Sequence, residues 1–342
     1  MSEEAIDFVL TWVDGSDPEW IGQKNAFSNN DGNVSYSKEA NSSCRYRDNG
    51  LLRFWFRGVE TFAPWVDKVF FVTCGQKPSW LDLNHPKLVW VKHSDYIPSQ
   101  YLPTFNSNTI EMNFHRIDGL SERFVYFNDD TFLLKRVGPE FFFKKNQPVL
   151  DCDLRYTNLV GYDNWSRLLF NDYCLVNSHF NAHESVWQNR KKWFSMKDLG
   201  FKRAGKNFLC FLVNKSLPVG LYGHNAMPHL KSTFQEIWDR FPEIMDQISS
   251  SRFRSDDQVN QWLACAWNQA KGIFQPANAT KRGIKINIEP VSLSWIQDII
   301  RRQKYPLTCL NESELFDSPE QCMNEIVAAF ERILPNKSGF EL

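Results

Sequence analysis

Two adjacent carboxylates follow an amide in Asn128-Asp129-Asp130. Side by side they repel unless a cation sits between them, and a divalent metal carrying a phosphate is the usual answer. The plain alternative is an acidic turn that caps the next element. A second loaded stretch is Gly223-His224-Asn225-Ala226-Met227-Pro228-His229, with two imidazoles five residues apart. That is not the helical zinc spacing. A loop holding Gly and Pro would present them at fixed angles, and a neutral imidazole beside a hydroxyl is a general base. In Ser251-Arg252-Phe253-Arg254-Ser255-Asp256-Asp257, arginines crowd what reads as a helix start, a favourable place for phosphate. The competing use is an ordinary N-cap by Ser255, Asp256 or Asp257. Arg53 and Arg57 lie one helical turn apart, a pairing that suits phosphate oxygens but also an ordinary solvated face.

These groups need a scaffold, and the chain supplies apolar runs beside them. Phe124-Val125-Tyr126-Phe127 reads as a buried strand that leaves its sheet at the acids. Ile6 to Val13 reads as a first strand, ending in the turn Asp14-Gly15-Ser16-Asp17-Pro18. Further strands are expected over Val69–Thr73 and Leu88–Val91. Helices are expected over residues 45–62, capped by Asp48 or Asn49, and over 108–120, projecting Glu111, His115 and Arg116. Others are expected over 234–245, 257–269 and 319–334. Strands alternating with helices predict an α/β fold, a mainly parallel, Rossmann-like sheet flanked by helices, with a helical insertion. The expected division is an α/β core over 1–150, a variable insertion over 151–222, and a helical part over 223–342 that completes one unit with the core. Residues 23–43 are polar and weakly patterned, as in a mobile loop that orders over substrate.

The chain has 342 residues, a formal net charge of -1 and 42% hydrophobic residues, so it folds around a sizeable core. Near-neutral charge gives no electrostatic case for a nucleic-acid partner. The eight cysteines form no CxxC pair, and several lie in apolar runs, as buried thiols do. No window approaches a membrane span, which points to a soluble intracellular protein, with bridged cysteines in a secreted one as the alternative. The basic, aromatic-studded segment 189–206 suits an anionic or glycan acceptor, peripheral contact with an anionic membrane surface, or a solvated cover over the sheet.

Taken in order, the motifs resemble the Stealth family of sugar-1-phosphate transferases. Ile6 to Asp17 resembles its first block. Its second is matched from Arg45-Tyr46-Arg47-Asp48-Asn49 through Val72-Thr73-Cys74-Gly75-Gln76-Lys77-Pro78-Ser79-Trp80-Leu81 to Phe127-Asn128-Asp129-Asp130. His224 to His229 with Arg254-Ser255-Asp256-Asp257 resembles the third, and Thr308-Cys309-Leu310-Asn311-Glu312 with Phe340-Glu341 the fourth. The chain departs at Asp14, where the family often has Asn, and at Glu312, where it has Asp.

The resemblance implies that a nucleotide-diphosphate sugar, UDP-HexNAc or UDP-hexose, gives its sugar 1-phosphate to a glycan or lipid-linked oligosaccharide. A nucleoside monophosphate leaves, and a phosphodiester forms in capsular or exopolysaccharide synthesis. On that reading Asp129 and Asp130 hold Mg2+ or Mn2+. Arg116 and Arg254 contact phosphate, Glu111 orients Arg116 or another catalytic group, and His224 or His229 is the base with Asp257 orienting it. Trp12, Asp14, Gly15, Asp17, Arg45, Asp48, Asn49, Arg53 and Asn128 bind substrate. The implied place is the cytoplasm, extending to the inner face of the cell membrane. The competing functions are a metal-dependent glycosyltransferase that releases UDP and a non-catalytic glycan-binding module.

Overall fold

The apolar runs become strands in a computed structural model that describes residues 5–28, 46, 50–154, 164–213, 224–312 and 319–342. In chain order the elements are β1 (Ile6–Thr11), α1 (Pro18–Ser28), α2 (Leu52–Phe62), β2 (Val69–Thr73), β3 (Leu88–Lys92), α3 (His93–Tyr96), α4 (Ser107–Met112), β4 (Arg123–Phe127), β5 (Thr131–Leu133), β6 (Phe143–Lys144) and β7 (Gln147–Asp151). Helices follow: α5 (Asn164–His179), α6 (Ala182–Gln188), α7 (Arg190–Trp193), α8 (Met196–Leu199) and α9 (Phe201–Val213). Then come β8 (Met227–Leu230), α10 (Lys231–Arg240), α11 (Pro242–Ser250), α12 (Trp262–Lys271), β9 (Gln275–Ala277), α13 (Ala279–Arg282), β10 (Gly283–Ile288), α14 (Leu293–Arg301), β11 (Leu307–Glu312) and α15 (Pro319–Ile333).

The central sheet has the order β3-β2-β1-β4-β8. The first four strands run parallel and β8 pairs antiparallel to β4. Uniformly apolar strands fit a sheet covered on both faces. Phe8, Leu10, Phe71 and Phe127 enter one core with Trp55 of α2 and Ile326 and Phe330 of α15. Val9, Val72, Phe124 and Tyr126 enter the other with Phe234 of α10 and Leu263 and Trp267 of α12. Each such buried aromatic contributes about 1.5–3 kcal/mol over leaving it in water.

At Phe127 the chain leaves this sheet, turns through Asn128–Asp130, and re-enters as β5 in a second sheet of order β10-β11-β5. The turn is fastened at both ends: Thr131 N donates to Asn128 O (3.1 Å) and Leu310 N of β11 donates to Asp130 O (2.9 Å). The acids therefore sit at a junction of two sheets, held by backbone on either side.

Several expected elements differ. The helix expected over 108–120 stops at Met112, because the Asn113 side-chain amide donates to Thr109 O (2.8 Å), the carbonyl a continuing helix would use. The helix expected over 234–245 is two helices, broken at Pro242, which has no N–H to continue the first and starts the second. The helix expected from Asp257 begins only at Trp262, so Arg254 lies in irregular chain rather than at a helix N-terminus. His229 belongs to a strand, not a loop. α2 starts at Leu52 with no side-chain cap, and the expected caps Asp48 and Asn49 lie outside the described residues. Of the loop expected over 23–43, residues 23–28 belong to α1 and the rest lie outside the described residues. Among the described residues no helix is long and apolar enough to cross a membrane, and the seven described cysteines are free thiols.

Candidate active site

A cavity of about 500 Å³ opens where β1 and β4 end and the second sheet begins. Open α/β sheets place ligands at that edge, and the volume suits a small ligand.

One wall is the acidic turn. Asp130 Oδ1 accepts from Thr131 Oγ1 (3.0 Å) and Oδ2 from the Cys309 thiol (3.2 Å). Burial, with Asp130 adding to it, pushes that thiol well above its usual range, so it stays a proton donor. His224 Nε2 lies 3.9 Å from Asp130 Oδ2 and 3.3 Å from the Asn128 side-chain nitrogen. The amide nitrogen and the imidazole are thus in contact at the cavity wall. Trp262 packs edge-on against the imidazole at 6.2 Å. Among the described residues, one ligand atom each from Asp130, His224 and Cys309 lie within 4.8 Å of one another and could hold a metal ion. Asp129 and Asn311 line the same wall and bring further oxygens. Carboxylate and amide oxygens suit Mg2+ or Mn2+; a neutral thiol does not add to that set.

The floor is Glu111, 6% exposed. Its Oε1 accepts from Tyr126 OH (3.2 Å), whose oxygen is 3.0 Å from Thr11 Oγ1, and its Oε2 accepts from Gln261 N (3.4 Å). Burial pushes the carboxyl up to about 7, against the downward pull of the Gln261 N–H, the Arg254 charge and the Tyr126 hydroxyl. Beneath it Asp172 is fully buried, accepts from Asn260 N (3.2 Å), and is raised by burial and by Glu111. Residues Asn260 and Gln261 thus tie two buried acids together.

Glu111→Gln keeps the side-chain shape and removes the charge. Because the folded carboxyl sits at about 7 instead of its ordinary 4.5, the folded state keeps a proton that the unfolded chain releases. The stability linked to that proton is complete below the unfolded value and is lost as pH rises through the folded one. The wild type is expected to lose up to about 3 kcal/mol through this group. Glu111→Gln should therefore melt above wild type at pH 8 and level with it at pH 4, while losing transfer activity. A variant that melts below wild type at pH 8 contradicts this.

The opposite wall is aromatic. Trp20 packs against Tyr46 (4.9 Å) and Phe105 (5.6 Å), and Phe105 stacks on Phe253 (5.3 Å). Trp12 and His93 complete it. Gly15 N donates to Tyr46 O (2.7 Å), and a Cβ on Gly15 would sit 2.2 Å from that oxygen, so only glycine allows the approach that pins Tyr46. The acids of this turn have hydrogen-bond partners within the protein. Gln76 donates to Asp14 O and Asp17 Oδ2 and accepts from Asp14 N, while Asp14 Oδ1 accepts from Ser16.

Of the residues singled out from sequence, Trp12, Glu111, Asn128, Asp129, Asp130, His224 and Arg254 line this one cavity. Asp14, Gly15 and Asp17 shape its rim without lining it. His229 is fully buried in β8, with Nε2 2.7 Å from Gln261 Oε1 and burial pushing its pKa down to about 4, so it cannot reach an acceptor hydroxyl. Arg116 turns away, donating to Asn113 Oδ1 (3.0 Å) and lying over Trp238 (4.5 Å); the charge felt at Glu111 is that of Arg254. Arg53 lies over Trp80 outside the cavity, and Arg57 pairs bidentately with Glu341 (2.7 and 2.8 Å), so the two do not form a phosphate clamp. Asp257 accepts from Ser255 Oγ (2.5 Å), also outside the lining. Arg45, Asp48 and Asn49 lie outside the described residues. Sequence reasoning missed Lys285, Asn108, Asn260 and Gln261 as lining residues. In Gly283-Ile284-Lys285-Ile286-Asn287-Ile288 the period-2 alternation was a strand signal, and its polar members were the readable clue.

Residues 4–32 match the model of Stealth protein conserved region 1 and residues 45–150 that of conserved region 2. The capsular polysaccharide phosphotransferase WcwK of Streptococcus pneumoniae is 39% identical over 340 residues, covering 98% of this chain and 98% of that protein. The receptor polysaccharide phosphotransferase WefC of Streptococcus gordonii is 38% identical, covering 99% of both. Among solved structures, galactosyltransferase LgtC in complex with donor and acceptor sugar analogs aligns over 94% of this chain and 95% of its own at 8% identity, with a TM-score of 0.38, too loose a likeness to carry an assignment.

Proposed function

This chain belongs to the Stealth family, and from that premise we propose how its cavity performs phosphotransfer. The protein is a phosphotransferase of polysaccharide synthesis that moves a sugar 1-phosphate. The donor is a UDP-HexNAc or UDP-hexose, and the acceptor is a glycan hydroxyl, free or lipid-linked, at the cytoplasmic face of the membrane. The hydroxyl oxygen attacks the β-phosphorus, the bond from that phosphorus to the bridging oxygen breaks, and UMP leaves with the electron pair. The product is a sugar–sugar phosphodiester.

The roles follow from placement. The wall of Trp12, Trp20, Tyr46 and Phe105 takes the nucleoside. Arg254 and Lys285 face the diphosphate, where negative charge gathers in the transition state. Asp129 and Asp130 hold a divalent cation, Mg2+ or Mn2+, which when bound supplies charge stabilisation to the phosphate oxygens. His224, its Nε2 beside Asp130 at the cavity wall, accepts the proton of the acceptor hydroxyl. Glu111 holds Arg254 and the Gln261 backbone in place. The insertion 151–222 receives the acceptor, since Leu168 of α5 reaches the cavity from that side.

The observation that carries this reading is the meeting of the acidic turn, His224, Arg254 and Glu111 in one cavity beside an aromatic wall. Incubation with a panel of UDP-sugars and glycan acceptors tests it through the nucleotide released. UMP is expected; UDP as the sole nucleotide would make the enzyme a glycosyltransferase.

A further inference from the structure

The helical insertion carries an apolar surface that the cavity does not use. α9 buries Ala204, Asn207, Cys210 and Phe211. Asn207 donates to the carbonyls of Cys152 and Trp193, and the Cys210 thiol to that of Leu154. With that face fixed inward, the helical period turns Phe201, Phe208 and Leu212 outward on one stripe. They are 80%, 42% and 60% exposed, and Leu209 at 63% and Val213 at 71% widen the stripe. Single exposed apolar residues are ordinary, but a contiguous stripe marks a contact surface.

Charge says what it contacts. From residue 183 to 213 the chain has seven Lys and Arg against two Asp and Glu. Arg190, Lys191, Lys197 and Lys202 are exposed, and by helical position Lys202 shares the outward face of α9 with Leu209 and Val213. An outward apolar stripe edged by long cationic side chains is the pattern of a helix lying in a lipid headgroup layer. A second copy of the same face would bring these cations against one another, which disfavours self-association.

We propose that α9, with the basic turn of α7 and Lys197 of α8 before it, docks the protein on an anionic lipid surface. Phe201, Phe208 and Leu212 enter the headgroup boundary, and Lys197 and Lys202 meet the lipid phosphates. This goes beyond the transfer reaction and does not depend on it.

Cosedimentation of the full chain with vesicles, without donor or acceptor, tests it. Partition onto phosphatidylglycerol–phosphatidylcholine vesicles is expected to exceed that onto phosphatidylcholine alone by about tenfold or more, and to fall as salt rises. Phe201→Ser/Leu209→Ser/Leu212→Ser and, separately, Lys197→Glu/Lys202→Glu should each lower it by about tenfold, with unchanged circular-dichroism melts because these side chains are exposed. A wild type that ignores anionic vesicles overturns the proposal, as do lysine variants that partition like wild type. So does an apolar variant that binds vesicles unchanged but loses a dimer in sedimentation velocity, which would assign the stripe to a second copy.

Discussion

His224→Ala is expected to lower kcat by about 10²–10⁴-fold, the usual contribution of a general base, with stability changed by less than about 0.5 kcal/mol. The imidazole is 25% exposed at the cavity wall, so its loss opens no core cavity. His229→Ala should behave in the opposite way. That ring is fully buried between Phe124 and Phe234 and pairs with Gln261, whose backbone N–H also serves Glu111. Truncation leaves both a cavity and an unpaired amide, at a cost of about 2–4 kcal/mol. The sign of the pH effect separates the two further. Burial holds the His229 pKa down at about 4 instead of 6.5, so the folded state binds fewer protons than the unfolded chain in between, and stability falls as pH falls through that window. His229→Ala removes this share of the acid sensitivity and His224→Ala leaves it in place. Thermal melts between pH 4 and 7, beside kcat for each variant, decide the assignment. Full activity in His224→Ala, or equal loss of kcat in a folded His229→Ala, would contradict it.

Asp130→Asn is expected to lower kcat/KM by about 10³-fold, the scale of charge stabilisation that a bound divalent ion supplies. The substitution keeps the size of a side chain set between Thr131 Oγ1 and the Cys309 thiol, so the turn should hold while the negative charge goes. Mn2+ binding followed by its electron paramagnetic resonance signal reads the site without turnover. The variant should bind at least tenfold more weakly, and removal of metal from the wild type by a chelator should stop transfer until Mg2+ or Mn2+ is restored. Wild-type Mn2+ affinity in Asp130→Asn would remove the ion from this turn.

The parallel core was legible because short apolar runs such as residues 69–73 and 124–127 have both faces covered and so lack any competing helical pattern. The acidic turn was legible for the same reason: the strand before it ends abruptly in three polar residues. β8 was hidden by its own composition. Met227-Pro228-His229-Leu230 reads as a loop, yet it is the edge strand of the central sheet, where proline is tolerated. That single misreading put His229 on equal terms with His224. Arg116 was misplaced because one side-chain bond, from Asn113 to Thr109 O, ends the helix that would have aimed it. Lys285 and Asn311 come from strands more than 150 residues beyond the acids, and only the pairing of β11 with β5 brings them back.

The most direct test follows the phosphorus. A UDP-sugar labelled with 32P at the β-phosphate is given to the enzyme with an acceptor glycan. Phosphotransfer by this cavity carries the label into the glycan, within a phosphodiester, and leaves unlabelled UMP. Label recovered wholly as UDP, with the sugar joined to the acceptor through its anomeric carbon and no phosphorus between, would contradict it.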